Sequence, residues 1–316
     1  MKKTEWIWRS AALTAVVCAG LSASAGVLAA HVVPVLTAEQ KAFLAMSATE
    51  RRAVFTNAEY RTKLTDSVRK MGWREPTDGE TSRWRHLPGI PNMRDLGGLK
   101  GLDGRTVACG RIFRSGAFND NAKSELVDDA DHPGEKKRVW KGRGKDRLTD
   151  DARKFQIENF GIRTDLDLRT DGECNEMTAS PLGPQVTWVH SPSQSYGSFF
   201  SDVGKASTKR NFALFLDERN YPIAVHCIAG ADRTGSLIYL LEALLGVSDD
   251  DLLLDWELTA FYSSTVNFAH ASRYDKLVAG FADYPGATTR EKAENFVRKL
   301  GFTDADIAKF RSLMLE

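Results

Sequence analysis

His226-Cys227-Ile228-Ala229-Gly230-Ala231-Asp232-Arg233-Thr234-Gly235 is the stretch on which the reading of this chain turns. A short apolar run, Ile223 to His226, precedes it, and a long apolar run to Leu245 follows, so it reads as the turn between a strand and a helix. A cysteine and an arginine separated by five residues in such a turn let the backbone curl around a tetrahedral oxyanion. The loop amides of Ile228, Ala229, Gly230 and Ala231 and the helix N-terminus then point at the anion. The same dipoles lower a thiol's pKa, which makes Cys227 a nucleophile. Arg233 offers a planar fork for two anion oxygens, and Thr234 can donate its hydroxyl to the sulfur and help it to leave. Gly230 and Gly235 permit the tight curvature. His226 is read as orienting the cysteine through hydrogen bonds to loop carbonyls. No second Cys or His stands at ligand spacing from it, so it is not read as a zinc ligand.

Around this turn, strand-like runs alternate with helical stretches: Arg111 to Ser115, Arg163 to Leu168, Val186 to His190 and Ile223 to His226, with helices after Leu148, around Asn211 to Glu218 and through to Leu245. The alternation predicts an α/β fold with a mainly parallel central sheet flanked by helices, its ligand site at the carboxyl ends of the strands. Cys227 falls at such an end. Ser191 to Gly204 reads as a Ser/Gly-rich loop, and Asn119 to Asp146, rich in charge and poor in apolar periodicity, as a surface insertion. Capping pairs at Ser248/Asp251 and Thr288/Glu291 start helices in the tail, and Gly301 stops one.

Three sections follow along the chain. Lys2, Lys3 and Arg9 precede an uncharged, Ala-rich stretch ending in the small-x-small triplet Ala23-Ser24-Ala25, which predicts a signal peptide over residues 1–25 and an exported, periplasmic or secreted protein. Retention as a membrane anchor is the alternative. Residues 31–80 read as a helical extension with starts at Thr37, Ser47 and Asn57. The main domain spans residues 86–316. A net charge of +1 gives no pull toward nucleic acid, and 27% charged residues exclude a chain of many membrane spans. Cys109, Cys174 and Cys227 are too few to form a disulfide scaffold once Cys18 is removed with the leader, and their odd number leaves at least one free thiol.

In the string HCIAGADRTG the chain resembles the protein tyrosine phosphatase superfamily, and in particular bacterial tyrosine phosphatases whose loop reads HCxxGKDRTG. The resemblance runs from Pro88 to Leu315. It includes Asn92 to Gly98 (NMRDLGG), Arg114-Ser115-Gly116, Gly161 to Arg169 with Asp167-Leu168-Arg169, and Asp255 to Thr259. It implies the cysteine-phosphatase fold, a phosphocysteine intermediate, and no metal or organic cofactor. The expected substrate is protein phosphotyrosine. An inositol phosphate or phosphoinositide is the alternative, weakened by Ala231 standing where many relatives carry a lysine. A non-catalytic phosphate-recognition module is a further alternative, opposed by the intact nucleophile.

Two aspartates compete as general acid. The resembling subgroup is thought to use the loop position held here by Asp232, while Asp202 lies in the loop after Val186 to His190. Asp167 and Arg169, at a strand end, are candidates for substrate binding or for an internal ion pair. Arg94 and Asp95 are open to the same two readings, and Asp255 and Glu257 are either solvated or braced against the loop. Lys136, Lys137, Arg138, Lys141, Arg143, Lys145 and Arg147 crowd the insertion near Trp140, as a mobile surface segment or as an arm that meets acidic substrates or anionic surfaces. Expected partners are a phosphorylated protein or a small phosphate ester.

Overall fold

The computed structural model describes residues 92–261 and 271–316 without a break, together with residue 90 and, nearer the N-terminus, positions 33–34, 42, 45–47, 49–50 and 73–74. The leader expected over residues 1–25 lies outside the described residues, as does most of the helical extension expected over 31–80. Within that extension Ser47 and Glu50 exchange capping hydrogen bonds, the helix start read there. Val33–Pro34 instead pairs antiparallel with Trp73–Arg74.

Ile223–His226 is buried along its whole length, as an apolar run in the middle of a sheet must be. In chain order the strands of the main domain are β1 (Arg94–Asp95), β2 (Ile112–Ser115), β3 (Lys123–Asp128), β4 (Lys136–Lys141), β5 (Thr164–Asp167), β6 (Thr187–His190) and β7 (Ile223–His226). Five of them form the central sheet in the order β1-β2-β7-β5-β6. β1 runs antiparallel to β2, and the other pairings are parallel. Ser115 and Asp167 both stand in register with His226, so three strands end level with one another immediately before Cys227.

Alternate residues along these strands feed two cores, as a period of two requires. Ile112, Leu166, Ile223 and Val225 pack into the larger one, which also holds the apolar faces of most of the helices. Phe113 and Ala224 turn to the other side, against Phe160 and Ile162. The helices are α1 (Asp150–Phe160), α2 (Asp202–Leu214), α3 (Arg233–Leu244), α4 (Asp249–Glu257), α5 (Ala271–Ala282), α6 (Thr289–Lys299) and α7 (Asp304–Met314). Every residue of α3 from Thr234 to Leu244 is buried, which marks it as the central helix. The capping box at Thr288 and Glu291 opens α6, Ser248 accepts from the Asp251 amide at the start of α4, and Gly301, at φ +99°, follows the end of α6.

Two expectations need correction. The stretch from Ser191 to Gly204 is not an open loop: Tyr196–Phe200 forms a 3-10 turn and α2 begins at Asp202, so the helix expected around Asn211 to Glu218 starts nine residues earlier. Ser201 caps α2 by accepting from the Gly204 amide. Phe199 is buried, and Phe200 packs edge-to-face with Phe281 and Phe296 at 4.9 and 5.4 Å. The insertion after Asn119 is an ordered β3–β4 hairpin. It escapes an apolar-periodicity reading because its strands are exposed apart from half-buried Val127, Val139 and Trp140 and are joined across by charge pairs.

Candidate active site

Cys227 leaves β7 at the level where β2 and β5 also end, and the chain turns through Ile228–Asp232 into α3. The turn is held from outside by its carbonyls. Ile228 O accepts from the Ala117 amide at 3.0 Å. Asn92 Nδ2 donates to Ala229 O and Gly230 O at 3.1 and 3.0 Å, and Arg114 Nη2 donates to Gly230 O at 2.6 Å. In a trans peptide the carbonyl and the following amide point opposite ways, so the N–H groups of Ala229, Gly230 and Ala231 face away from these braces, into the loop. Gly230 sits at φ +66°, and a Cβ there would lie 2.4 Å from Ser115 O. Only glycine fits so close to β2.

The brace is itself a buried network. Asp255, on α4, accepts from Arg94 Nε at 2.8 Å and from Arg114 Nη1, while Arg94 Nη1 donates to Asn92 Oδ1 at 2.5 Å. All four side chains are buried. Asp255 is therefore braced against the loop rather than solvated. Asp95 instead pins the segment after β1: its carboxylate accepts from the amides of Gly97 and Gly110, both at 2.8 Å.

Burial alone would raise the Cys227 thiol. The Arg233 charge, the Thr234 hydroxyl and the amides of Thr234 and Gly230 outweigh it, and the thiol is held below its ordinary value, which stabilises the thiolate relative to the thiol. Beneath the loop, His226 lies 2.8 Å from Asp165 through Nε2 and donates from Nδ1 to Cys227 O at 3.3 Å. Burial disfavours its charge, but Asp167 and Asp165 prevail and raise its pKa. Asp167 and Arg169 are fully buried and pair with each other at 2.7 Å. Burial opposes the Asp167 charge, yet His226 and Arg169 hold that carboxylate well below the usual range. Neither side chain has surface with which to meet a ligand in this conformation, and the internal ion pair is the arrangement observed.

Arg233 opens α3, and its guanidinium is gripped by a residue the sequence reading missed. Glu173 accepts from Nη1 at 2.6 Å and from Nη2 at 3.3 Å, while Thr170 donates to the same carboxylate from its amide at 2.7 Å. Burial works against the Glu173 charge, but these donors leave its pKa lowered. Asp232 faces two further unforeseen residues: the Tyr196 hydroxyl donates to its Oδ1, and Arg273 Nη1 lies 3.7 Å from the same oxygen. Asp202 is exposed in the first turn of α2. The helix dipole favours a carboxylate there.

The basic side chains of the insertion are mostly paired within it. Lys136 meets Asp128 at 3.3 Å, Lys137 meets Asp129 at 3.3 Å, Lys141 meets Glu125 at 2.5 Å, Arg143 meets Asp146 at 2.5 Å, and Arg147 meets Asp120 at 2.6 Å. Arg138 donates to Ser124 and lies over the Trp140 ring. Cys174 and Cys227 are free thiols. Among the described residues no group of three or more His, Cys, Asp or Glu side chains is placed to hold a metal ion, and no helix is long and apolar enough to cross a membrane.

Comparison with known proteins points the same way as this geometry. Residues 85–128 and 136–316 match the tyrosine phosphatase family; the unmatched interval, 129–135, is the tip of the β3–β4 hairpin. A protein of Cupriavidus necator named "putative tyrosine-protein phosphatase" is 29% identical over 192 residues, a span of 53% of this chain and 59% of that relative. The chain thus covers less than two thirds of the relative's length.

Proposed function

Because the chain belongs to the tyrosine phosphatase family, we propose that it is a cysteine-dependent phosphatase that hydrolyses phosphate monoesters, protein phosphotyrosine foremost, outside the cytoplasm. The Cys227 thiolate attacks phosphorus in line with the ester oxygen. As the S–P bond forms the P–O bond breaks, and the leaving oxygen takes a proton from Asp232. Water then attacks phosphorus, its proton passes back to Asp232, and the S–P bond breaks to release inorganic phosphate. The loop amides and Arg233 stabilise the charge on the transferring oxygens, and Thr234 eases departure of the sulfur.

The observation that carries this reading is the outward tethering of the Ile228, Ala229 and Gly230 carbonyls, which turns three amides toward the thiol. A phosphate-binding module would use the same cradle, but it has no need of a cysteine held below its ordinary pKa. The tyrosine phosphatase family supports phosphorylated substrates. Ala231 favours phosphotyrosine over phosphoinositides, since the loop lacks a lysine there for additional phosphates. Export rests on the basic, then apolar, N-terminal pattern ending at Ala23-Ser24-Ala25.

Release of inorganic phosphate from p-nitrophenyl phosphate by the full chain tests the activity. Cys227→Ser should lower turnover by about 10⁴-fold or more while vanadate still binds, because a hydroxyl does not ionise but leaves the cradle whole. Turnover by Cys227→Ser close to that of wild type would defeat the covalent route. A panel of phosphotyrosine peptides, phosphoserine peptides, phosphoinositides and phytate decides the substrate class.

A further inference from the structure

Tyr196 has a backbone that its residue type disfavours. It sits at φ +53°, a region uncommon for a bulky residue and sustained only where the surroundings hold it. The surroundings here are specific. Its amide donates to Ser236 Oγ at 3.1 Å, and that hydroxyl donates to Asp232 O at 2.9 Å. Its ring meets Trp256 at 5.9 Å, and the Arg273 guanidinium lies 5.4 Å from the ring centroid. At the end of the same 3-10 turn, Phe199 and Phe200 lock it into the aromatic core. The phenol that results from this hold donates to Asp232 Oδ1, and Arg273 approaches the same oxygen.

A hydroxyl donating to one carboxyl oxygen places the acid's own proton on the other. A carboxyl held at one oxygen is restricted about χ2, and a misdirected acid is a poor one.

We propose that Tyr196 is the positioning residue of the general acid: it fixes the Asp232 carboxyl so that Oδ2 carries the proton toward the leaving oxygen, and Arg273 braces this tyrosine–aspartate pair from both the ring and the carboxyl side. The proton transferred is that of Asp232, and Tyr196 keeps its own throughout. This inference rests on the reading of Asp232 as the acid.

The test compares Asp232→Asn, Tyr196→Phe and Arg273→Gln across aryl phosphates of graded leaving-group acidity, by rapid mixing, where phosphorylation of Cys227 limits the rate. Tyr196→Phe should slow phenyl phosphate about tenfold and dinitrophenyl phosphate less than about threefold, a fraction of the roughly 10²–10⁴-fold that a positioned acid supplies. Arg273→Gln should act in the same direction, more weakly. In an Asp232→Asn background, Tyr196→Phe should add nothing. Equal slowing of all esters, or an additive effect in the double variant, would overturn the proposal, because a structural loss ignores the leaving group. If Asp232→Asn itself shows no steepening, the acid assignment falls and takes this inference with it. If Asp232→Asn steepens the dependence and Tyr196→Phe does not, only the inference falls. Vanadate affinity near that of wild type certifies that the Tyr196→Phe cradle is intact. Should that variant not fold, Arg273→Gln, altered at a side chain nearly half exposed, carries the same comparison: a steepened dependence supports the proposal, and an unchanged one overturns it.

Discussion

The loop that begins at Cys227 is held by two regions built on different principles. Its back is fixed by Asn92 and Arg114, which grip backbone carbonyls of the loop and are held in turn by Arg94 and Asp255, all four buried. Its rim is fixed by Glu173, Tyr196 and Arg273, partly exposed, which grip the side chains of Arg233 and Asp232. The back determines whether a cradle exists at all; the rim determines where the charges in it point. Loss at the back should therefore show in stability and activity together, whereas loss at the rim should show mainly in rate.

The largest effect on stability is expected from Asp255→Asn. Its carboxylate serves two buried arginines, and an amide would leave both guanidinium charges without their shared counter-ion. Breaking one side of a buried ionic pair costs about 3–5 kcal/mol. Denaturant unfolding should show a loss in that range, and turnover of p-nitrophenyl phosphate should fall at least about tenfold as Gly230 loses its anchor through Arg114. A loss below about 1 kcal/mol would mean that the two regions do not differ in kind.

The same division decides what the sequence discloses. The strand-turn-helix around Cys227, the parallel strands ending beside it and the capped helices of the tail follow from local apolar pattern and from Ser/Thr caps, which act within a few residues. The back of the loop lies in short strings, NMRDLGG, RSG and Asp255 to Thr259, that stand out through resemblance. Which side chain meets which carbonyl is a tertiary matter. The rim leaves no local trace: Glu173 reaches Arg233 across sixty residues and Tyr196 reaches Asp232 across thirty-six. Glu173 could have been suspected from Thr170-x-x-Glu173, a turn signature directly after Asp167-Leu168-Arg169. The start of α2 was hidden because Ser and Gly dominate its approach, while the two phenylalanines that anchor it signal only when the aromatic core is assembled.

An intermediate effect is expected from Glu173→Gln. The amide can still accept one hydrogen bond from Arg233 but no longer pairs with its charge, so the guanidinium should wander from the angle at which it meets phosphoryl oxygens. The rate of p-nitrophenyl phosphate hydrolysis should fall about tenfold, with unfolding free energy reduced by less than in Asp255→Asn. The pH dependence has a definite sign. A carboxyl whose folded pKa is lowered adds stability above its unfolded pKa, and that addition is lost as pH falls through the folded value. Wild type should therefore lose stability more steeply than Glu173→Gln as pH drops below about 4. Parallel acid-side profiles for the two proteins would remove Glu173 from the rim.

The smallest effect is expected where charge is most conspicuous, in the β3–β4 hairpin. Its base is stitched to the segment carrying Glu173: Ala122 donates to Glu173 O at 3.0 Å, Asn175 donates to Gly142 O at 3.3 Å, and the Trp140 indole packs so tightly over Gly172 that a Cβ there would stand 2.0 Å from Nε1. The hairpin thus belongs to the rim through its backbone and its tryptophan. Lys136, Lys137 and Lys141 pair with Asp128, Asp129 and Glu125, and exposed pairs of this kind contribute about 0–1 kcal/mol each. An arm that recruits acidic substrates needs an unbalanced field, and this segment is close to balanced. Replacing Lys136, Lys137, Arg138 and Lys141 by Gln should change the Michaelis constant for an acidic phosphotyrosine peptide by less than about twofold at physiological salt, where surface charges are screened within ~8 Å, and leave p-nitrophenyl phosphate turnover unchanged. A selective rise well beyond twofold for the acidic peptide, steeper at low salt, would show that the hairpin recruits substrate through its charges. A matching loss on both substrates would show instead that neutralisation had reached Trp140 and, through Gly172 and Glu173, the arginine of the loop.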